Sequence, residues 1–265
     1  MEKDKKASNQ QELPEWFQKT REKGPSPADN ALFTVLRLLD LPLQYYVLQS
    51  GIGADIVRRL GGAVMATPVT ASTSTLGLSP YHSLIFGMAV GSAAKQIYWC
   101  LVISDNKFEP SVSTFVALYN TLLNTLNTLL SLWALSSNAS QATTWTELLT
   151  ASPLKSTVSI GAAMYAVGLW MEWWCEVQRK RFKQNPANKG KLYTGGLFGL
   201  ARNINYGSYT IWRVGYGIVC AGLPWGVINF VWLFGDFAGR AVPYLETHLE
   251  KKVRLLEDAA LPSHC

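Results

Sequence analysis

From Ser111 to Ser136 the chain carries no charged residue. About twenty predominantly apolar residues cross a bilayer as a helix, so this stretch is long enough to span. A spanning segment must satisfy its backbone hydrogen bonds without water, which leaves helices or a closed barrel. No alternating pattern argues for strands, so the constraint points to helices. Similar stretches follow and precede it. Leu76 to Ser104 is apolar from Leu84 to Ala94, and Ser156 to Cys175 reads as another span. Tyr209 to Phe237 has room for two helices, and Gly222-Leu223-Pro224 in its middle marks a tight turn between them. The expected fold is all-α, a multi-pass transmembrane helical bundle.

The ends differ from the middle. Residues 1–30 are rich in Lys, Glu, Gln, Ser and Pro and read as a disordered polar tail. Residues 31–247 form the membrane domain, and 248–265 a separate tail. At the domain's start, Ala31 to Gln49 contains Arg37, Asp40 and Pro42; it is either an interfacial helix or a first span broken at Pro42. Gly51 to Thr75 reads as a loop or a re-entrant segment. The net charge of +6 sits mostly in tails and loops. That pattern fits the excess of Lys and Arg on the cytosolic side of membrane proteins rather than a nucleic-acid surface. Cys100, Cys175, Cys220 and Cys265 form no CxxC pair, and no metal site is read from them.

Polar residues inside the spans carry their own message. Asn120, Asn124 and Asn127 recur at helical spacing, as amides that bond between helices do. Lys95 interrupts an apolar run, and it must either snorkel to the surface or find a partner at a cavity.

The densest chemistry lies between two apolar segments. Glu172 and Glu176 stand one helical turn apart, followed by Gln178 and a basic stretch, Arg179-Lys180-Arg181-Phe182-Lys183. Further on comes Ala201-Arg202-Asn203-Ile204-Asn205-Tyr206-Gly207. Arg202 offers a permanent charge and a forked donor for phosphate or carboxylate. Asn203 and Asn205 donate and accept hydrogen bonds, and Tyr206 and Tyr209 add hydroxyls and stacking faces. Such a set suits a phosphate-bearing cofactor at the membrane face with an apolar substrate entering from lipid. A solvated basic loop that only orients the chain has the same composition. No Rossmann glycine fingerprint, Walker loop or zinc-protease motif is present.

These residues resemble the C-terminal catalytic domain of the steroid 5-alpha-reductase-like superfamily, which includes the sterol C14 reductases. Its members look like Glu-x-x-x-Asp-x-Gln, a basic linker, Gly-Leu-Phe/Trp, and Arg-His-Pro-Asn-Tyr-x-Gly-Glu. Here the matching positions are Glu172, Glu176, Gln178, Lys183, Gly196-Leu197-Phe198, Arg202, Asn205 and Tyr206. The resemblance is most specific over residues 168–215. It implies a membrane reductase with NADPH in a cytosol-facing pocket, delivering hydride to a carbon–carbon double bond of a sterol-like, polyprenoid or fatty acyl lipid. By the same resemblance Glu172, Glu176, Gln178, Lys183, Arg202, Asn203 and Asn205 would bind the cofactor. Tyr206 would supply the catalytic hydroxyl. The implied partners are the bilayer and an apolar small molecule, and the implied location is the endoplasmic reticulum, with the basic loop and the C-terminus cytosolic.

The chain departs from the pattern at Asn203-Ile204, where His-Pro is usual, at Ser208-Tyr209, and in a tail without aromatics from Val253 to Cys265. Two other functions therefore stand beside the reductase. One is an S-adenosylmethionine-dependent methyltransferase of the isoprenylcysteine carboxyl methyltransferase type, which has a related motif. The other is a non-catalytic membrane protein that keeps the fold.

Overall fold

A computed structural model describes residues 22–65, 75–107, 109–137, 144–150 and 153–247. Most of the two tails and the linker 138–143 lie outside these residues.

Among the described residues the α-helices are α1 (Pro27–Gln49), α2 (Ile52–Arg59), α3 (Pro80–Tyr98), α4 (Pro110–Leu132), α5 (Trp145–Thr150), α6 (Pro153–Gln184) and α7 (Ile204–Asp236). No strand occurs among the described residues. The all-α expectation holds, and three helical stretches are long and apolar enough to cross a membrane: Pro27–Gln49, Pro80–Ile103 and Ile204–Thr247. Proline opens α1, α3 and α4 in the first turn, where its missing N–H removes a donor that has no helical partner anyway. Apolar side chains point outward from these helices. Leu39 on α1, Leu118 and Leu122 on α4, and Val231 and Phe234 on α7 are all exposed, as lipid-facing positions are.

Three sequence expectations are corrected. The first helix is not broken at Pro42; α1 runs through it to Gln49. Its polar residues fasten it to α4. Arg37 donates to Asp40 at 3.1 Å and to Thr121 at 3.3 Å, Asn124 donates to Asp40 at 2.7 Å, and Gln44 exchanges bonds with Asp40, Thr125 and Thr128. Contacts spaced along both helices make a ladder that ties α1 to α4 on both sides of the proline. The second correction concerns the basic loop. Arg179–Lys183 lies on α6, which continues to Gln184. Arg and Lys are good helix formers, and cations in the last turn complement the helix dipole. Glu176 also pairs with Arg179 one turn on. Of the proposed loop at 51–75, residues 52–59 form α2.

The expected hairpin is present within α7. Ala221 and Gly222 leave helical geometry, Gly222 with a φ of 72° that suits glycine. The two arms then fold back on each other. Gly226 lies against Ile218, Gly217 against Asn229, and the ring of Tyr206 stacks on Phe237 at 4.8 Å. Breaking the helix frees carbonyls at the turn, and the Tyr81 hydroxyl donates to those of Val219 and Cys220, at 2.9 and 3.0 Å. The first arm packs against α6 through glycines. A Cβ on Gly215 would lie 2.6 Å from the carbonyl oxygen of Gly161, and one on Gly168 would lie 2.6 Å from the amide of Trp212. Small residues at such crossings let backbones approach within the membrane. Cys100, Cys175 and Cys220 are buried and free.

Candidate functional site

The α6–α7 crossing and the hairpin leave one large cavity of about 2390 Å³. Its apolar side is lined by Phe33, Trp99, Phe115, Val116, Tyr119, Trp232 and Leu233. A short π-helical turn, Trp99–Ile103, follows α3 and places Trp99 there; Lys180 donates to the carbonyl of Val102 within that turn. The opposite side is polar. It is built from Glu172, Glu176, Arg179 and Lys183 of α6, the loop through Lys189, Lys191, Arg202 and Asn203, Asn205, Tyr206, Tyr209 and Asp236 of α7, and Arg240 of the π-helical turn Phe237–Ala241 after it.

Each of the three carboxylates of this wall is paired with a cation. Lys95 and Glu172 form an ion pair with both side chains nearly buried, and the indole N–H of Trp212 donates to the other Glu172 oxygen at 2.7 Å. The Lys95 ammonium thus has its partner at depth, and the snorkelling alternative is set aside. Glu176 holds Arg179. Arg240 reaches Asp236 through two hydrogen bonds of 2.7 and 2.6 Å. Arg202 stands 3.5 Å from Glu246, both well exposed.

Most of the residues singled out from the sequence meet at this cavity: Glu172, Glu176, Lys183, Arg202, Asn203, Asn205 and Tyr206 all line it. Gln178 does not. Its Oε1 accepts from the amide of Leu197 at 3.2 Å and fixes the Gly196–Gly199 turn. Gly196, at φ 55°, sits so close that any Cβ would collide with the Gln178 amide. Gln178 shapes the loop from behind. Asn203 is the residue before α7, with its carbonyl accepting from the Tyr206 amide at 3.0 Å.

Sequence reasoning missed part of the wall. Gln96 and Asn120 line the cavity, with Gln96 Nε2 donating to Asn120 Oδ1 at 2.7 Å. Asn120, Asn124 and Asn127 do act as interhelical bonds, since Asn127 accepts from Trp225 at 2.6 Å, but Asn120 also faces the cavity. Arg213 was passed over entirely. It is buried and donates to Asn120, to Asn124 at 3.1 Å and to the Tyr209 hydroxyl at 3.3 Å. A cation inside an apolar run was the available signal. The same signal, read for Lys95 and Glu172 together, predicts their pairing.

Comparison with known proteins gives two matches. Residues 105–257 match a family described as a protein of unknown function, DUF1295. The chain is also 38% identical, over 236 residues, to a protein of Ustilaginoidea virens named Probable O-methyltransferase ustE, covering 87% of this chain and 81% of that relative. No solved structure matches. The chain belongs to the DUF1295 family, within the steroid 5-alpha-reductase-like superfamily.

Proposed function

We propose that this protein is a membrane-embedded, S-adenosylmethionine-dependent O-methyltransferase acting on an apolar acceptor. The observation that carries the reading is the presence of three carboxylates in the cavity's polar lining, Glu172, Glu176 and Asp236, paired with Lys95, Arg179 and Arg240. Carboxylates can meet the ammonium group and ribose hydroxyls of S-adenosylmethionine, whereas they repel the phosphates of a dinucleotide. The name of the Ustilaginoidea virens relative supports the same choice.

When bound, S-adenosylmethionine supplies an electrophilic methyl group. The donor set fits it: Glu176 can receive an ammonium or ribose hydroxyls, Arg202 a carboxylate, and Asn203 and Asn205 the polar edges of the base. Glu172 is held by Lys95 and Trp212, which makes it an orienting element of the wall. The apolar side, with Trp99, Phe115 and Trp232, would take a greasy ring or chain and keep water from the transfer. The endoplasmic reticulum membrane, with the basic end of α6 on the cytosolic side, is the proposed setting.

One observation favours a second reading, NADPH-dependent reduction of a lipid double bond. Lys183, Lys189, Lys191 and Arg202 gather along one stretch of the cavity lining, and together they would suit phosphates. Tyr206 would then be the hydroxyl expected to act on substrate.

The test is transfer of labelled methyl from S-adenosylmethionine to compounds of an apolar panel, some bearing hydroxyls and some carboxyls, by the purified protein in nanodiscs. Label in the organic extract is the expected result. NADPH oxidation by a lipid enone without methyl transfer would replace this reading with the second.

A further inference from the structure

The sequence offers Tyr206 and Tyr209 alike as hydroxyls and stacking faces, and the surroundings of Tyr209 set it apart. Both line the cavity. Tyr206 is stacked on Phe237. Tyr209 packs edge-on against Trp212 and Phe237, at 5.0 and 5.7 Å, so its ring is held on two sides. Its hydroxyl oxygen accepts a hydrogen bond from Nε of Arg213 at 3.3 Å.

Arg213 is 1% exposed, and its guanidinium also lies 4.3 Å from the centre of the Trp212 ring. Its remaining bonds run to the amide oxygens of Asn120 and Asn124. Among the described residues no carboxylate stands within ion-pair distance of it. The nearby charges of the ladder, Arg37 and Asp40, cancel each other. A buried cation therefore lies immediately behind two cavity-lining groups, the Tyr209 hydroxyl and the Asn120 amide.

Hydrogen-bond chemistry fixes what those groups can present. A guanidinium only donates, so its bond to Tyr209 occupies a lone pair and leaves the phenolic proton to donate elsewhere. Asn120 Oδ1 is occupied by Arg213 and Gln96, and its Nδ2 donates to the Val116 carbonyl at 2.7 Å. The Tyr209 O–H is thus a donor this cluster has left for the cavity, with an uncompensated positive charge behind it.

We propose that Tyr209, positioned by Arg213, binds the acceptor oxygen in its ionised form, so that the acceptor is an acidic hydroxyl on an apolar ring, a phenol or an enol, and not an aliphatic alcohol. The proposal rests on reading the cavity as an acceptor site. A hydroxyl proton hydrogen-bonded to an oxyanion is among the stronger contacts a side chain makes, and a buried cation strengthens it in low dielectric. The released proton leaves to solvent through the cavity.

The probe is 2-naphthol, whose absorption moves to longer wavelength on ionisation, with its ring-reduced analogue 1,2,3,4-tetrahydro-2-naphthol as the aliphatic control. The full chain is placed in nanodiscs at neutral pH, with empty nanodiscs subtracted and no cofactor added. The naphtholate band is expected in the bound probe where the free probe is neutral, with the aliphatic control bound at least tenfold more weakly. Tyr209→Phe, which keeps the ring packing, should abolish the band and weaken the probe by roughly tenfold. Absence of the band, equal binding of both probes, or a band untouched by Tyr209→Phe would overturn the proposal. Naphtholate binding that depends on Tyr209 in a protein that transfers no methyl group would sink the methyltransferase reading while leaving this one standing. Methyl transfer to hydroxyls without the band would do the reverse.

Discussion

Between α1 and α4, Asp40 receives hydrogen bonds from Arg37, Gln44 and Asn124, and Gln44 is bonded in turn by Thr128. Across the bundle, α6 and α7 present Glu176, Asn205, Tyr206 and Tyr209 to a large cavity. Both regions are rich in polar side chains, and both lie among apolar helices. In the first, the carboxylate and the amides are used on one another and closed to the outside, although Arg37 leaves Nε and Nη2 without a bond. In the second, polar groups share their bonds with a space that a ligand can fill. The difference separates polar residues that hold a membrane fold together from those that do chemistry. Substitutions in the ladder should therefore damage the fold, and those on the cavity wall should damage binding first.

The largest effect expected is at Asp40. Asp40→Ala leaves Arg37 as an unpaired buried charge and should cost about 3–5 kcal/mol. It would be read as a fall in thermal midpoint of the protein in detergent, with Asp40→Asn less severe. Next comes the α6–α7 crossing. Gly168→Ala forces a methyl group against the Trp212 backbone and should cost about 1–3 kcal/mol, visible in the same melt, because it shifts the helix that carries the cavity wall. Glu172→Gln sharpens the comparison from the other side. It keeps an oxygen for the Trp212 indole but leaves Lys95 without its charge partner, and ligand affinity should fall more than stability does. Smallest of all is Arg202→Ala. Its pair with Glu246 is exposed, so the melt should move by less than about 1 kcal/mol. Any loss of cofactor affinity in that variant then reports on the site alone. If Arg202→Ala unfolds the protein, or Asp40→Ala leaves it intact, the division between the two regions fails.

The helices were legible because their signals are local. The charge-free run at 111–136 and the Gly222-Leu223-Pro224 turn need no partner to be read. The motif from Glu172 to Tyr206 carried most of the cavity's polar wall as well. What was not legible depends on groups far apart in the chain. Pro42 reads as a break until Asp40 and Gln44 are seen bonded to Asn124, Thr125 and Thr128 more than eighty positions away. Lys95 reads as a stray cation until Glu172 lies beside it. Gln178 belongs to the motif but faces the Gly196–Gly199 turn, which no spacing rule reveals. Arg213 stood in an apolar run, and its role behind Tyr209 follows only from the hairpin and the packing of α4.

In the proposed function the wall between α6 and α7 holds S-adenosylmethionine. The most direct test is calorimetric titration of the purified protein in nanodiscs with S-adenosylmethionine and, in parallel, with NADPH. The expected result is saturable binding of S-adenosylmethionine that Glu176→Gln weakens severalfold with little change in the melt, and no saturable binding of NADPH. Saturable NADPH binding with none for S-adenosylmethionine would contradict it.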